Sequence, residues 1–407
     1  MTQKKIFLYS PGSVGYNQKK QERGRKMENF VGTLIRRERL RQNLSQEGLC
    51  KGICVVSYLS KIEQGKAEAG EDILLPLLHR LGIEYETDGD FLKEAGETVE
   101  RLYEELFSGK MSSPETLQQQ RERLMRSPFM LDAMLLLDVW ENRLSPELAE
   151  FVSCMDRRQY PLYLLLRLQV EGENTAGELL RLAPTDFYCC AVGRERYYQG
   201  RYLEAIELLS RAYDLAAREG NIWLMCDARL FLGNCYSDTR QTELMTESYR
   251  AAKKIALVLG DEQRVSTIDY NLGSTYLELG ETERAYALLQ RVSRRDALYY
   301  HKLAIALEKL GRREEALGAV ARGRAALQED SYRPDAEEKM LALVEYRLLH
   351  PDYLHEEEYA REMSDCFAFL RQTMPQGFTR FHLPYMLELL EAERRYKEAY
   401  RLLKEFS

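Results

Sequence analysis

The chain has 407 residues, of which 45% are hydrophobic and 30% charged, with only 11 prolines, the profile of a soluble, helix-rich protein rather than a disordered or membrane one. No stretch approaches the roughly 20 uninterrupted apolar residues of a spanning helix, so no membrane partner is expected and the location implied is cytoplasmic. Eight scattered cysteines form no Cys-x-x-Cys pair and the five histidines show no zinc spacing, so metal ligands, cofactors and catalytic residues are all expected to be absent.

Residues 1–26 carry seven Lys/Arg against one acid, Glu22, but lack the apolar core of a secretory signal. They are expected to be a disordered basic extension or a mis-called start, because Glu22 to Lys26 can be encoded as a purine-rich stretch just before Met27. From Met27 to Lys66 seven cations face four acids, whereas from Ala67 to Leu106 twelve acids face three cations. The net charge of -7 therefore hides a basic head on an acidic body.

From Phe30 to Gln42, Val31, Leu34 and Ile35 recur at helical spacing, leaving Arg36, Arg37, Arg39 and Arg41 for solvent or phosphate. Asn43 ends this helix and Ser45 caps a second one. A third helix is predicted over Val55–Gln64, with Leu59 and Ile62 inward and Gly65 as its stop. Pro76 is expected to interrupt the Ile73–Leu81 helix that follows.

The run Leu44-Ser45-Gln46-Glu47, followed by Ser60-Lys61-Ile62-Glu63-Gln64-Gly65, resembles the Xre/Cro-type helix-turn-helix, and the segment from Ile53 to Gly65 resembles its PlcR-like members. That resemblance implies a structural ion pair between Arg39 and Glu63 and a phosphate contact from Gln46. It also makes Val55, Val56, Ser57, Tyr58 and Lys61 candidate base readers, with Arg36 joining the DNA-binding set. One residue fewer than the usual pattern separates the second and third helices, and Glu38 replaces a usual apolar position.

Beyond the head, residues 89–186 read as a linker helix and degenerate repeats, and 187–407 as a repeat domain. Gly193, Gly233 and Gly273 anchor similar segments, each 40 residues after the last, in a glycine-aromatic-alanine-large order that resembles TPR units. A fourth copy runs from Leu303 through Gly311 to Ala316, and a terminal one from Leu383 to Leu403. The fold class expected is all-α: a helix-turn-helix bundle over 27–88, then a right-handed superhelical TPR-like array. The repeat register places Arg194, Tyr197, Asp227, Asn234, Tyr270, Asn271, Ser274, His301 and Lys302 on the inner face. Asn234 and Asn271 are the preferred clamps for the backbone of a bound peptide.

Such a head on such a body resembles the RRNPP group of peptide-pheromone receptors, PlcR and Rgg-like proteins among them. The resemblance implies a homodimer that binds a short peptide on its concave face and a palindromic operator in double-stranded DNA. The competing readings are a TPR scaffold between proteins and a helix-turn-helix regulator without a peptide ligand.

Overall fold

A computed structural model describes residues 21–110, 113–172, 174–327 and 333–406. Every regular element among the described residues is helical, and the chain gathers into two compact units that divide at Val192/Gly193. Residues 1–20 of the expected basic extension lie outside the described residues, whereas residues 21–26 belong to the first helix.

In the first unit, α1 (Gln21–Arg41) starts well before the predicted Phe30. Its stop is as read: Asn43 adopts a left-handed φ of 52°, and the Leu44 N–H returns to the Arg39 carbonyl at 2.9 Å. Ser45 then caps α2 (Gln46–Cys50), its Oγ accepting the Gly48 N–H at 2.9 Å. Val55 precedes α3 (Val56–Glu63), and Gly65 turns the chain with φ 64°. Leu34, Ile35, Leu49, Leu59, Ile62, Leu77 and Leu78 close the head's core.

Pro76 does not interrupt the next helix, contrary to expectation. It lies within the continuous α4 (Glu71–Arg80), on the exposed side of the helix where Leu77 and Leu78 point inward. A proline removes one i→i−4 bond, but there water can replace the donor lost to the Asp72 carbonyl.

The rest of this unit comprises α5 (Gly89–Phe107), α6 (Glu115–Gln119), α7 (Arg121–Leu124), α8 (Met130–Glu141), α9 (Gln159–Leu166) and α10 (Ala176–Leu182), with a 3₁₀ segment over Pro146–Cys154. Within this unit α1 packs directly on that 3₁₀ segment. The Phe30 and Phe151 rings lie 5.4 Å apart and Thr33 Oγ1 is 2.9 Å from Cys154 Sγ.

The division of the chain falls inside α11 (Asp186–Tyr198), and the second unit is built from helix pairs. They comprise α12 (Tyr202–Glu219), α13 (Ile222–Asp238) with α14 (Thr242–Val258), α15 (Glu262–Glu278) with α16 (Thr282–Leu289), and α17 (Ala297–Lys309) with α18 (Arg313–Ala326). After these come α19 (Pro334–Leu349) with α20 (Glu357–Thr373), and α21 (Gln376–Ala392) with α22 (Tyr396–Glu405). The pair α19–α20 carries no glycine anchor and was not read from the sequence.

The 40-residue spacing has a steric cause. A Cβ added at Gly193 would meet Leu209 Cγ at 2.9 Å, one at Gly233 the Tyr249 ring at 2.6 Å, and one at Gly273 Leu289 Cγ at 3.1 Å. In each repeat the same close crossing of two helices needs the missing side chain.

Candidate functional site

In the head, the Arg39 guanidinium grips Glu63 with two parallel bonds from one edge, Nε to Oε1 at 2.6 Å and Nη2 to Oε2 at 2.8 Å. Both side chains are almost wholly buried, and the network saturates them further. Arg39 Nη1 donates to the Leu44 carbonyl at 2.9 Å and Gln46 Nε2 to Glu63 Oε2 at 2.9 Å. The pair thus ties the end of α1, the start of α2 and the last turn of α3 together. Gln46 spends its amide on this network and holds Glu63 in the free chain, a role its expected phosphate contact did not include.

Glu38 occupies the usual apolar position because two arginines neutralise it. Arg37 Nη2 lies 2.8 Å from Oε1 and Arg41 Nη2 2.8 Å from Oε2, while Arg37 also stacks 5.1 Å from the Phe151 ring. A buried carboxylate is tolerable with such partners. Gly32 was not singled out in the sequence, yet it sets the height of α3: a Cβ there would come 2.0 Å from the Ile62 carbonyl oxygen. Arg80 was missed as well. Its Nη1 donates to the Leu49 and Lys51 carbonyls at 2.7 and 2.6 Å, covering the C-terminal end of α2.

Opposite Leu59 and Ile62, α3 presents Val55 (67% exposed), Val56, Ser57 and Lys61 to solvent, with Arg36 exposed on α1. Tyr58 is half-buried, and its hydroxyl donates to the Glu68 carbonyl at 2.6 Å, so it braces the turn after α3. The head therefore offers one short exposed helix with two apolar groups and a cation, a set able to press on thymine methyls and reach guanine or phosphate.

In the second unit the expected inner-face residues divide into used and available groups. Asp227 pairs with Arg264 Nε at 2.8 Å and is buried, so it serves packing. Lys302 is corrected outright: it is buried beneath α21, its Nζ 2.7 Å from the Phe381 ring centroid, and burial holds its amine well below the usual lysine range. His301 shares this fate, stacked on His382 at 5.3 Å. The sequence showed α21 as the first half of a terminal repeat but not where that helix would pack. Asn234 and Asn271 are adjacent, with Asn271 Nδ2 donating to Asn234 Oδ1 at 2.9 Å and the Tyr249 hydroxyl donating to the same oxygen at 2.7 Å. That leaves the Asn234 amide group without an acceptor among the described residues. Arg194 lies 5.0 Å from the Phe231 ring, and Tyr197 packs against Tyr198, Tyr202 and Phe231. Tyr270 and Ser274 are half-buried on α15.

Asp238 closes α13 beside this cluster. Burial pushes its carboxyl up to about 6, against the pull of Arg380 and of the Tyr197 and Tyr202 hydroxyls. A carboxyl raised on folding binds its proton more tightly in the folded state, so stability falls as pH rises from about 4 through about 6. Asp238→Asn is expected to stabilise the chain at pH 7.5 by roughly 2 kcal/mol and to leave it unchanged at pH 4. Thermal melts of both proteins at the two pH values check this, and an equal shift at both would contradict it.

Two family models fit this geometry. A helix-turn-helix model matches residues 35–87 and a tetratricopeptide repeat model residues 270–297. The head is a helix-turn-helix domain. The transcriptional activator NprA of Geobacillus stearothermophilus is 23% identical over 256 residues, covering 55% of this chain and 62% of that protein. The chain thus spans less than two thirds of the length of this curated relative. The apo form of the quorum sensor NprR from B. thuringiensis aligns with a TM-score of 0.52 at 15% identity, over 78% of this chain and 99% of that one. A Rap protein complexed with competence and sporulation factor aligns with a TM-score of 0.55 at 14% identity, over 95% and 97%. At these identities the structural likeness is one of fold. The resemblance to Xre-type and RRNPP proteins read from the sequence is carried by the helix-turn-helix motif and the repeat fold. Among the described residues no helix is long and apolar enough to cross a membrane, and no cluster of His, Cys, Asp or Glu could hold a metal ion.

Proposed function

We propose that this chain is a cytoplasmic, sequence-specific DNA-binding transcription regulator whose repeat body dimerises and senses a short signalling peptide. The observation that carries the reading is the Arg39–Glu63 lock, which holds α3 with its Val55, Val56, Ser57 and Lys61 side exposed. The names of the relatives point the same way: NprA is a transcriptional activator, NprR a quorum sensor, and the Rap structure holds competence and sporulation factor. Two heads on a two-fold dimer would read a palindromic operator with half-sites about one helical turn or a multiple apart, and a peptide would act by favouring one spacing of the heads. The function is one of binding, with no catalytic step assigned.

Gel retardation of the DNA upstream of its own gene, with and without extract of its host's medium, tests the reading. A purified chain that retards nothing under either condition would end it. Within a positive result, Lys61→Glu is expected to weaken binding about tenfold or more, because a base or phosphate contact becomes a repulsion. An unchanged affinity would move the interface off α3.

A further inference from the structure

Between α13, α14, α15 and α21 lies a cavity of about 220 Å³ lined by Tyr236, Ser237, Arg240, Thr242, Glu278 and Arg380, among others. Its two guanidiniums stand without a hydrogen bond or ion pair among the described residues, and Arg380 Nε is shielded from water with no acceptor. Asp238 and Glu278 act on Arg380 only through space. An arginine left in this state at a cavity wall has donors to spare.

Three further features single out the place. Arg240 makes a turn with φ 57°, where the corresponding turns use Gly200, Gly280 and Gly311. The turn after α21 also uses an arginine, Arg394, but Arg240 is the one that lines the cavity. Pro384 lines it too, on the exposed side of α21. Finally, Ser237 follows Asn234 by three residues on α13, and Thr275 and Glu278 follow Asn271 by four and seven on α15. That spacing puts the cavity and the Asn pair on one continuous face.

We propose that this cavity seats a carboxylate of the bound peptide, held by Arg240 and Arg380, while the peptide backbone lies along Asn234 and Asn271. The proposal rests on the peptide-sensing reading and adds the charge chemistry of the ligand. Planar guanidinium forks match a carboxylate, and Glu278 in the same wall can accept a backbone N–H from the peptide. The carboxylate can come from the peptide's C-terminus or from an acidic side chain.

The test uses the full chain, with random short peptides in three pools: free C-terminal acids, the same peptides as C-terminal amides, and free acids lacking Asp and Glu. Retained peptides are identified by mass spectrometry and their affinities measured. A terminal carboxylate predicts that amidation weakens retained peptides about tenfold or more; a side-chain carboxylate predicts that amides bind equally and that the Asp/Glu-free pool yields none. In either case Arg380→Gln and Arg240→Gln are expected to erase the preference and Arg380→Lys to restore part of it, with circular dichroism and melting temperature checked for each variant. Retention indifferent to carboxylates, or a preference that survives both glutamine variants, overturns the carboxylate seat and leaves peptide sensing standing. No retained peptide in any pool overturns both.

Discussion

Arg39→Ala is expected to destabilise the head by about 3–5 kcal/mol and to abolish operator binding. The variant strands the Glu63 carboxylate in the interior, and only the Gln46 amide at 2.9 Å remains to satisfy it. It also removes the donor from the Leu44 carbonyl, where α1 passes into α2. Since whole domains are stable by only about 5–15 kcal/mol, the loss is large enough to melt the head at physiological temperature. Hydrogen exchange on the full chain reads it out, with protection lost over residues 30–81 and kept in the repeats. The double variant Arg39→Met with Glu63→Leu is expected to recover most of the stability, because an apolar pair needs no charged partner. A single variant as protected as the parent would show that the pair does not hold α3 in place.

Gly32→Ala is the second large effect, and its sign runs against helix propensity. Within a helix, glycine to alanine normally stabilises by about 1 kcal/mol. Here the added methyl would sit 2.0 Å from the Ile62 carbonyl oxygen, a backbone atom that can yield only by displacing α3. Overpacking of this kind costs about 1–3 kcal/mol, and the displaced α3 would also pull Glu63 from Arg39. DNA affinity is expected to fall more than stability does, since the exposed face of α3 moves even where the head stays folded. Gly177→Ala supplies the control. That glycine is inside α10 with open space around its missing Cβ, so its variant should be neutral or slightly stabilising. Equal melting shifts for the two variants would show that the tight approach of α1 to α3 does not matter.

Much of this protein is legible in one sequence because the features concerned are local. Ser45 as a cap, Asn43 and Gly65 as stops, and the apolar spacing of Val31, Leu34 and Ile35 depend on hydrogen bonds and contacts within a few residues of each other. The 40-residue glycine period was visible for a related reason, since each repeat solves the same helix crossing in the same way. The Arg39–Glu63 contact spans 24 residues and was reached through a resemblance, with the motif standing in for the geometry.

Tertiary packing decided the rest. Periodicity marks a helix's apolar side but not which neighbour will cover its polar side, so nothing in Lys302 or Asp227 announced Phe381 above the one or Arg264 beside the other. Glu38 became tolerable, and Gly32 indispensable, only once the partner helices had taken their places. The cavity walled by Arg240 and Arg380 joins side chains 140 residues apart, and their meeting is set by where α21 packs, which no local pattern encodes.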